Sequence, residues 1–144
     1  ALRPAQVRQR AQQGDLEQLA DWLAHEHSWV REEAARALSQ VPGPETARLL
    51  EEVLERPRER PWVRAAAAAS LGDIRDPGSL PVLIGVLAEP GQDAEVELAL
   101  IGALCAYRER RALQAIATLE QDDDLLISAA AARARLACTP DSSP

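Results

Sequence analysis

A segment that returns every 33 residues restricts the fold of this chain more than any other feature of the sequence. Trp29-Val30-Arg31-Glu32-Glu33-Ala34-Ala35-Arg36-Ala37-Leu38 is followed by Trp62-Val63-Arg64-Ala65-Ala66-Ala67-Ala68-Ala69-Ser70-Leu71, with Trp, Val, Arg, two Ala and Leu in register. A third copy runs from Val96 to Leu104, with Glu97 in the Arg position and Leu100 and Ile101 in place of the small pair. A fourth, degenerate copy spans about Leu125 to Leu136. After each of the first copies comes a turn rich in Pro and Gly, then a second stretch with apolar residues three and four apart: Leu49, Leu50, Val53 and Leu54, then Leu80, Val82, Leu83, Val86 and Leu87. That spacing is one face of a helix, so the unit is helix, turn, helix.

A unit of this size cannot bury its apolar face alone and does so by stacking on the next copy. The expected fold is therefore all-α, a right-handed α-solenoid of about four helix pairs. The chain is expected to form one domain over residues 1–138, with approximate repeats at 4–24, 28–55, 61–88, 94–120 and 124–137. Residues 139–144 have the composition of a disordered tail. Pro4 to Gln12 and Asp15 to Ala24 read as a shortened pair at the N-terminal end. Composition suits close packing: 47% of the residues are hydrophobic, yet Phe and Met are absent and aromatic residues make up 3%. Ala34, Ala35, Ala67 and Ala68 let helices approach, and Leu38, Leu71, Leu104 and Leu136 are expected to fill the space between layers. Ser28, Asp93 and the run Asp122-Asp123-Asp124 are placed to cap helices and complement their dipoles.

The pattern Val-Arg-x-x-Ala-Ala-x-x-Leu, followed by Gly72-Asp73-Ile74-Arg75-Asp76-Pro77 and a Val-Leu-x-x-Val-Leu helix, resembles HEAT-like repeats of the phycobilisome-lyase type. The resemblance extends from Ala24 to Ala137. The signatures of ankyrin and tetratricopeptide repeats are missing.

Several function classes are disfavoured. Asp and Glu outnumber Arg 23 to 16, there is no Lys, and the net charge is -7, which speaks against nucleic acid as a partner. The basic cluster of Arg56, Arg58, Arg60 and Arg64 is interleaved with Glu55 and Glu59. No window holds the ~18 apolar residues that cross a bilayer, and the first twenty residues lack the apolar core of a secretory signal. A cytoplasmic location is expected. The two cysteines, Cys105 and Cys138, are too few for a disulfide framework; Cys105 reads as a reduced, buried thiol, with a bridge to Cys138 as the alternative. His25 and His27 flank Glu26 at a helix end without metal-ligand spacing. No nucleophile with an adjacent base, phosphate loop or ligand-spaced cluster is present, and no cofactor or metal is expected.

Recurrence assigns Arg31 and Arg64 to holding turn carbonyls or a neighbouring acid between layers, and Trp29 and Trp62 to partly buried stacking positions. The residues between the apolar stripes of the second helices are Glu17, Asp21, Arg48, Glu52, Pro81, Gly85, Gln114 and Thr118. They form the candidate binding row, acidic at its N-terminal end and low in relief at Pro81 and Gly85. The expected function is a non-catalytic scaffold that binds a protein or peptide, basic or mixed in charge, on a concave surface. The resemblance adds a phycobilin lyase or isomerase as the alternative. A third reading, DNA-lesion binding, is opposed by the acidic row.

Overall fold

The computed structural model describes residues 2–140. Among them are nine α-helices and no strand: α1 Pro4–Gln12, α2 Leu16–Trp22, α3 Ser28–Ala37, α4 Pro44–Leu54, α5 Pro61–Ile74, α6 Ser79–Ala88, α7 Ala94–Tyr107, α8 Arg110–Ala117 and α9 Leu125–Ala137. Short 3-10 turns follow α3 at Leu38–Gln40 and α8 at Thr118–Gln121.

The starts and stops have local causes. Proline opens α1, α4 and α5, where its fixed φ suits the first turn and its missing N–H is not needed. The Asp15 carboxylate accepts from the Gln18 N–H, Asp93 from Glu95 and Asp124 from Leu126, each capping the helix that follows. Ser28 does not cap: it is the first residue inside α3, and His27 occupies the cap position without a side-chain bond. Helices α5 and α7 both end on an arginine in the left-handed region, Arg75 at φ 56° and Arg108 at φ 54°. A position that ordinarily favours glycine therefore recurs with the repeat as arginine.

The odd-numbered helices stack in chain order, α1 on α3, α3 on α5, α5 on α7 and α7 on α9. They make one layer of an α-solenoid, and α4, α6 and α8 continue the second layer alongside. Between the layers lies one continuous core from Val7 to Cys138, filled by Leu19, Leu38, Leu50, Leu54, Leu71, Leu80, Leu83, Leu100 and Leu104. Ala34, Ala35, Ala67 and Ala68 are fully buried and bring the first helices together. At the tightest point a Cβ built on Gly72 would lie 2.7 Å from the Ala103 Cα, so α5 and α7 touch backbone to backbone. On the other side of α5 the buried Ser70 hydroxyl donates to the Ala35 carbonyl of α3 at 2.7 Å.

Leu136 departs from the expected pattern. It is 73% exposed, as are Leu125 at 81% and Leu126 at 68%. Helix α9 buries Ile127, Ala131 and Ala134 instead, and no helix in the described residues covers its other face. Of the expected tail, Thr139 accepts hydrogen bonds from the Arg108 guanidinium, and residues 141–144 lie outside the described residues.

Candidate functional site

The second helices carry the candidate row. Glu17 and Asp21 stand on α2, Arg48 and Glu52 on α4, Pro81 and Gly85 on α6, Gln114 on α8, and Thr118 at the start of the 3-10 turn after it. All eight are exposed. Within each pair the residues are four apart and so share one helical face. Arg48, Pro81 and Gln114 follow the 33-residue repeat, as do Glu52, Gly85 and Thr118, which places them on corresponding points of successive helices.

Arg48 is not a free cation. Its guanidinium donates to the Asp76 carboxylate and lies 3.0 Å from the Glu51 carboxylate. Glu51 in turn accepts from the buried Ser79 hydroxyl at 2.6 Å. Tyr107 comes in from α7 and donates to the Asp76 carbonyl at 2.7 Å. Gly78 lies directly beneath the guanidinium, where a Cβ would meet Arg48 Nη1 at 2.8 Å. This polar knot ties α4, the turn before α6 and the end of α7 together. Burial, with the Asp76 and Glu51 carboxylates close by, pushes the Tyr107 hydroxyl up to about 12, against opposing help from Ser79 and Arg48. Tyr107 is therefore a neutral donor at any physiological pH. Among the described residues Glu17, Asp21 and Glu52 take part in no ion pair, so theirs are the charges the row presents.

On the first-helix side the recurring arginines join the layers. Arg31 donates to Glu59 through Nε and Nη2, and to the carbonyls of His25 and Glu26 through Nη1. Arg56 adds bonds to the same Glu59 carboxylate and to the Leu23 carbonyl. One repeat later, Arg64 donates to the Leu54 carbonyl and to Gln92. The Glu59 side chain is only 3% exposed. Burial alone would raise its pKa, but hydrogen bonds from Arg31, the Arg60 N–H and Arg56 outweigh it and hold the carboxylate below its ordinary value. The basic cluster of the sequence is thus largely consumed by structure. From sequence Glu59 was read only as a charge interleaved with that cluster, and neither it nor Gln92 as the partner of a recurring arginine; their signal was that they, too, are 33 apart.

The remaining candidates are local. The His25 Nδ1 accepts from the His27 N–H at 3.0 Å, which closes the turn before α3. Trp29 and Trp62 are about four-tenths exposed, and the Arg60 guanidinium lies over the Trp62 ring. Among the described residues no three His, Cys, Asp or Glu side chains converge as a metal site would require, and no helix is long and apolar enough to cross a membrane. The cysteines are not reduced thiols: Cys105 and Cys138 form a disulfide with a Cα–Cα distance of 5.5 Å, in the range such bridges span. They lie 33 residues apart, so the bridge joins equivalent positions of neighbouring repeats.

Stacked helix pairs with recurring inter-layer joints define an α-solenoid protein. The family of HEAT repeats matches residues 16–94, more than half of the chain, and the chain belongs to that family. Its match is to HEAT repeats in general and not to the phycobilisome-lyase type. No curated protein matches. Among solved structures, human deoxyhypusine hydroxylase in complex with glycerol superimposes with a TM-score of 0.71 and 23% identity over 83% of this chain. The chain spans 41% of that protein's length. This likeness corrects the expectation of a non-catalytic scaffold, because the same architecture is found in an enzyme. The expectation drew on missing catalytic motifs, and a solenoid can assemble polar groups from several helices without any local motif.

Proposed function

We propose that this chain is the HEAT-repeat part of an enzyme and that its second-helix row holds an extended, cationic polypeptide segment of the substrate. The likeness to an enzyme of the same fold supports the first half of this reading. The observation that carries the second half is the fate of Arg48: with its guanidinium engaged by Glu51 and Asp76, the row presents Glu17, Asp21 and Glu52 without a compensating cation. Low relief at Pro81 and Gly85 leaves room for substrate side chains beyond the acidic end. A cytoplasmic setting agrees with a Cys105–Cys138 bridge only if that bridge is transient, because persistent disulfides belong to oxidising compartments.

A fluorescent oligolysine peptide tests the row. Wild-type protein is expected to bind it at low salt and to release it as salt rises. Asp21→Asn with Glu52→Gln is expected to weaken binding about tenfold, whereas Glu89→Gln with Glu95→Gln, which removes equal charge elsewhere, leaves it unchanged. Equal loss in both variants would reduce the effect to net charge and end the assignment of the row. The enzymatic half is tested by mass spectrometry of a basic peptide incubated with the protein and lysate of its source cell. A change in peptide mass that requires wild-type protein supports it, and an unaltered peptide opposes it.

A further inference from the structure

We propose that the Cys105–Cys138 disulfide is a redox latch that holds the terminal helix α9 on the solenoid, so that reduction releases α9 and leaves the preceding layers folded.

The noncovalent joint found between the earlier layers is missing here on both sides. Arg31 reaches Glu59 and Arg64 reaches Gln92, each 28 residues ahead. The corresponding residues one repeat further on are Glu97 and Leu125, an acid and an 81% exposed leucine. Among the described residues Glu97 forms no ion pair, and the negative charges of Asp122 and Asp124 act against its own. The apolar contribution is thin as well. Helix α9 buries one large aliphatic side chain, Ile127, with Ala131 and Ala134, while Leu125, Leu126 and Leu136 face solvent. Its ion pair, Arg135 with Glu120, reaches only to the turn that leads into it, and the Arg108 bonds to Thr139 are exposed.

The covalent bond fastens the same two helices at their other end. Cys105 lies in the last turn of α7, and Cys138 is the cap residue of α9. At the same repeat position α3 and α5 are followed or ended by Ser39 and Gly72, so the bridge falls at a junction without the arginine joint and is absent from the two junctions that have it. A dithiol is the reductant. One of its thiolates attacks one sulfur of the bridge, forming a mixed disulfide and expelling the other cysteine as a thiolate; the second thiol of the reductant, as thiolate, then attacks the reductant sulfur of the mixed disulfide and expels the remaining cysteine as a thiolate. Two protons and two electrons pass to Cys105 and Cys138, and the dithiol becomes a cyclic disulfide.

Hydrogen exchange followed by mass spectrometry tests the latch on the whole chain, before and after treatment with dithiothreitol, with Cys105→Ser, Cys138→Ser as a second route to the open state. The expected result is about thirtyfold or faster exchange over 125–138 in both the reduced protein and the variant, with exchange in α3–α6 unchanged. Unchanged protection of α9 in the reduced protein overturns the proposal. Loss of protection throughout α3–α6 also overturns it, since the bridge would then be a global staple.

Discussion

The joint between the α3 and α5 layers and the joint between α7 and α9 are fastened at opposite ends of their helices and with opposite materials: Arg31 and Glu59 lie at the starts of α3 and α5, Cys105 and Cys138 at the ends of α7 and α9. In the first, two arginines converge on the nearly buried Glu59 and also satisfy turn carbonyls, so charge, hydrogen bonding and burial act in one direction. In the second, the charges of Asp122 and Asp124 act against that of Glu97, and the layers are held by a disulfide. A solenoid therefore needs each layer fastened to the next, but fixes neither the place nor the chemistry of the fastening. Each layer must resist peeling from its neighbour, and an arginine–acid joint or a covalent bond meets that need.

Substitutions can break or sharpen this comparison. The largest effect is expected in the core that both regions share: Leu71→Ala should cost about 2–5 kcal/mol in urea unfolding, because the side chain is fully buried and its cavity would be closed in by neighbouring helices. Arg31→Ala should cost about 2 kcal/mol, since Glu59 would keep only Arg56 and the Arg60 N–H in a site closed to water. Here the loss is expected to be larger than for Arg64→Ala, whose side-chain partner, Gln92, is neutral. If the two variants were equally destabilised, the charge on Glu59 would not be what distinguishes the first joint.

Gly72→Ala should cost about 1–2 kcal/mol in the same measurement, as its new methyl group would press on the Ala103 backbone and force α5 and α7 apart. The smallest effect, opposite in sign, is expected at Glu97. Its pKa is raised, first by burial and then by Asp122 and Asp124. Glu97→Gln should therefore stabilise the protein at neutral pH by on the order of 0.5 kcal/mol, after screening of a largely solvated group.

The pH responses of the two joints should also oppose each other. A raised carboxyl pKa means that the folded state gains stability from Glu97 as pH falls through its elevated value toward the ordinary 4.5. Glu59, with a lowered pKa, contributes stability that is present above 4.5 and is lost as pH falls through its depressed value. Stability measured against pH for wild type, Glu97→Gln and Arg31→Ala separates the two contributions.

Much of this architecture was legible in the primary structure because its cause is periodic. Trp29 and Trp62, Arg31 and Arg64, and Leu38, Leu71 and Leu104 recur at one spacing, and repetition reports an environment that recurs with it. The inter-layer work of Arg31 and Arg64 could be inferred for the same reason. Leu136 could not be placed correctly, because the fourth copy is degenerate and its apolar residues fit either face of α9; tertiary contact selected Ile127, Ala131 and Ala134. The eight positions proposed as a row are exposed, and the acidic character of its N-terminal end was read from the sequence, but the engagement of Arg48 was not. Arg48 reads as a free cation on α4 until the turn before α6 brings Asp76 beneath it, 28 residues away.

The repeat period, the helix pairs and the small residues at the seams were determined by the sequence by itself, because helix formation and stacking follow from local periodicity and side-chain size. Which polar groups neutralise one another, which face of α9 is covered, and that Cys105 meets Cys138 were decided only by the tertiary structure. These depend on distances between residues about 30 apart in the chain, which exist only after the layers have stacked.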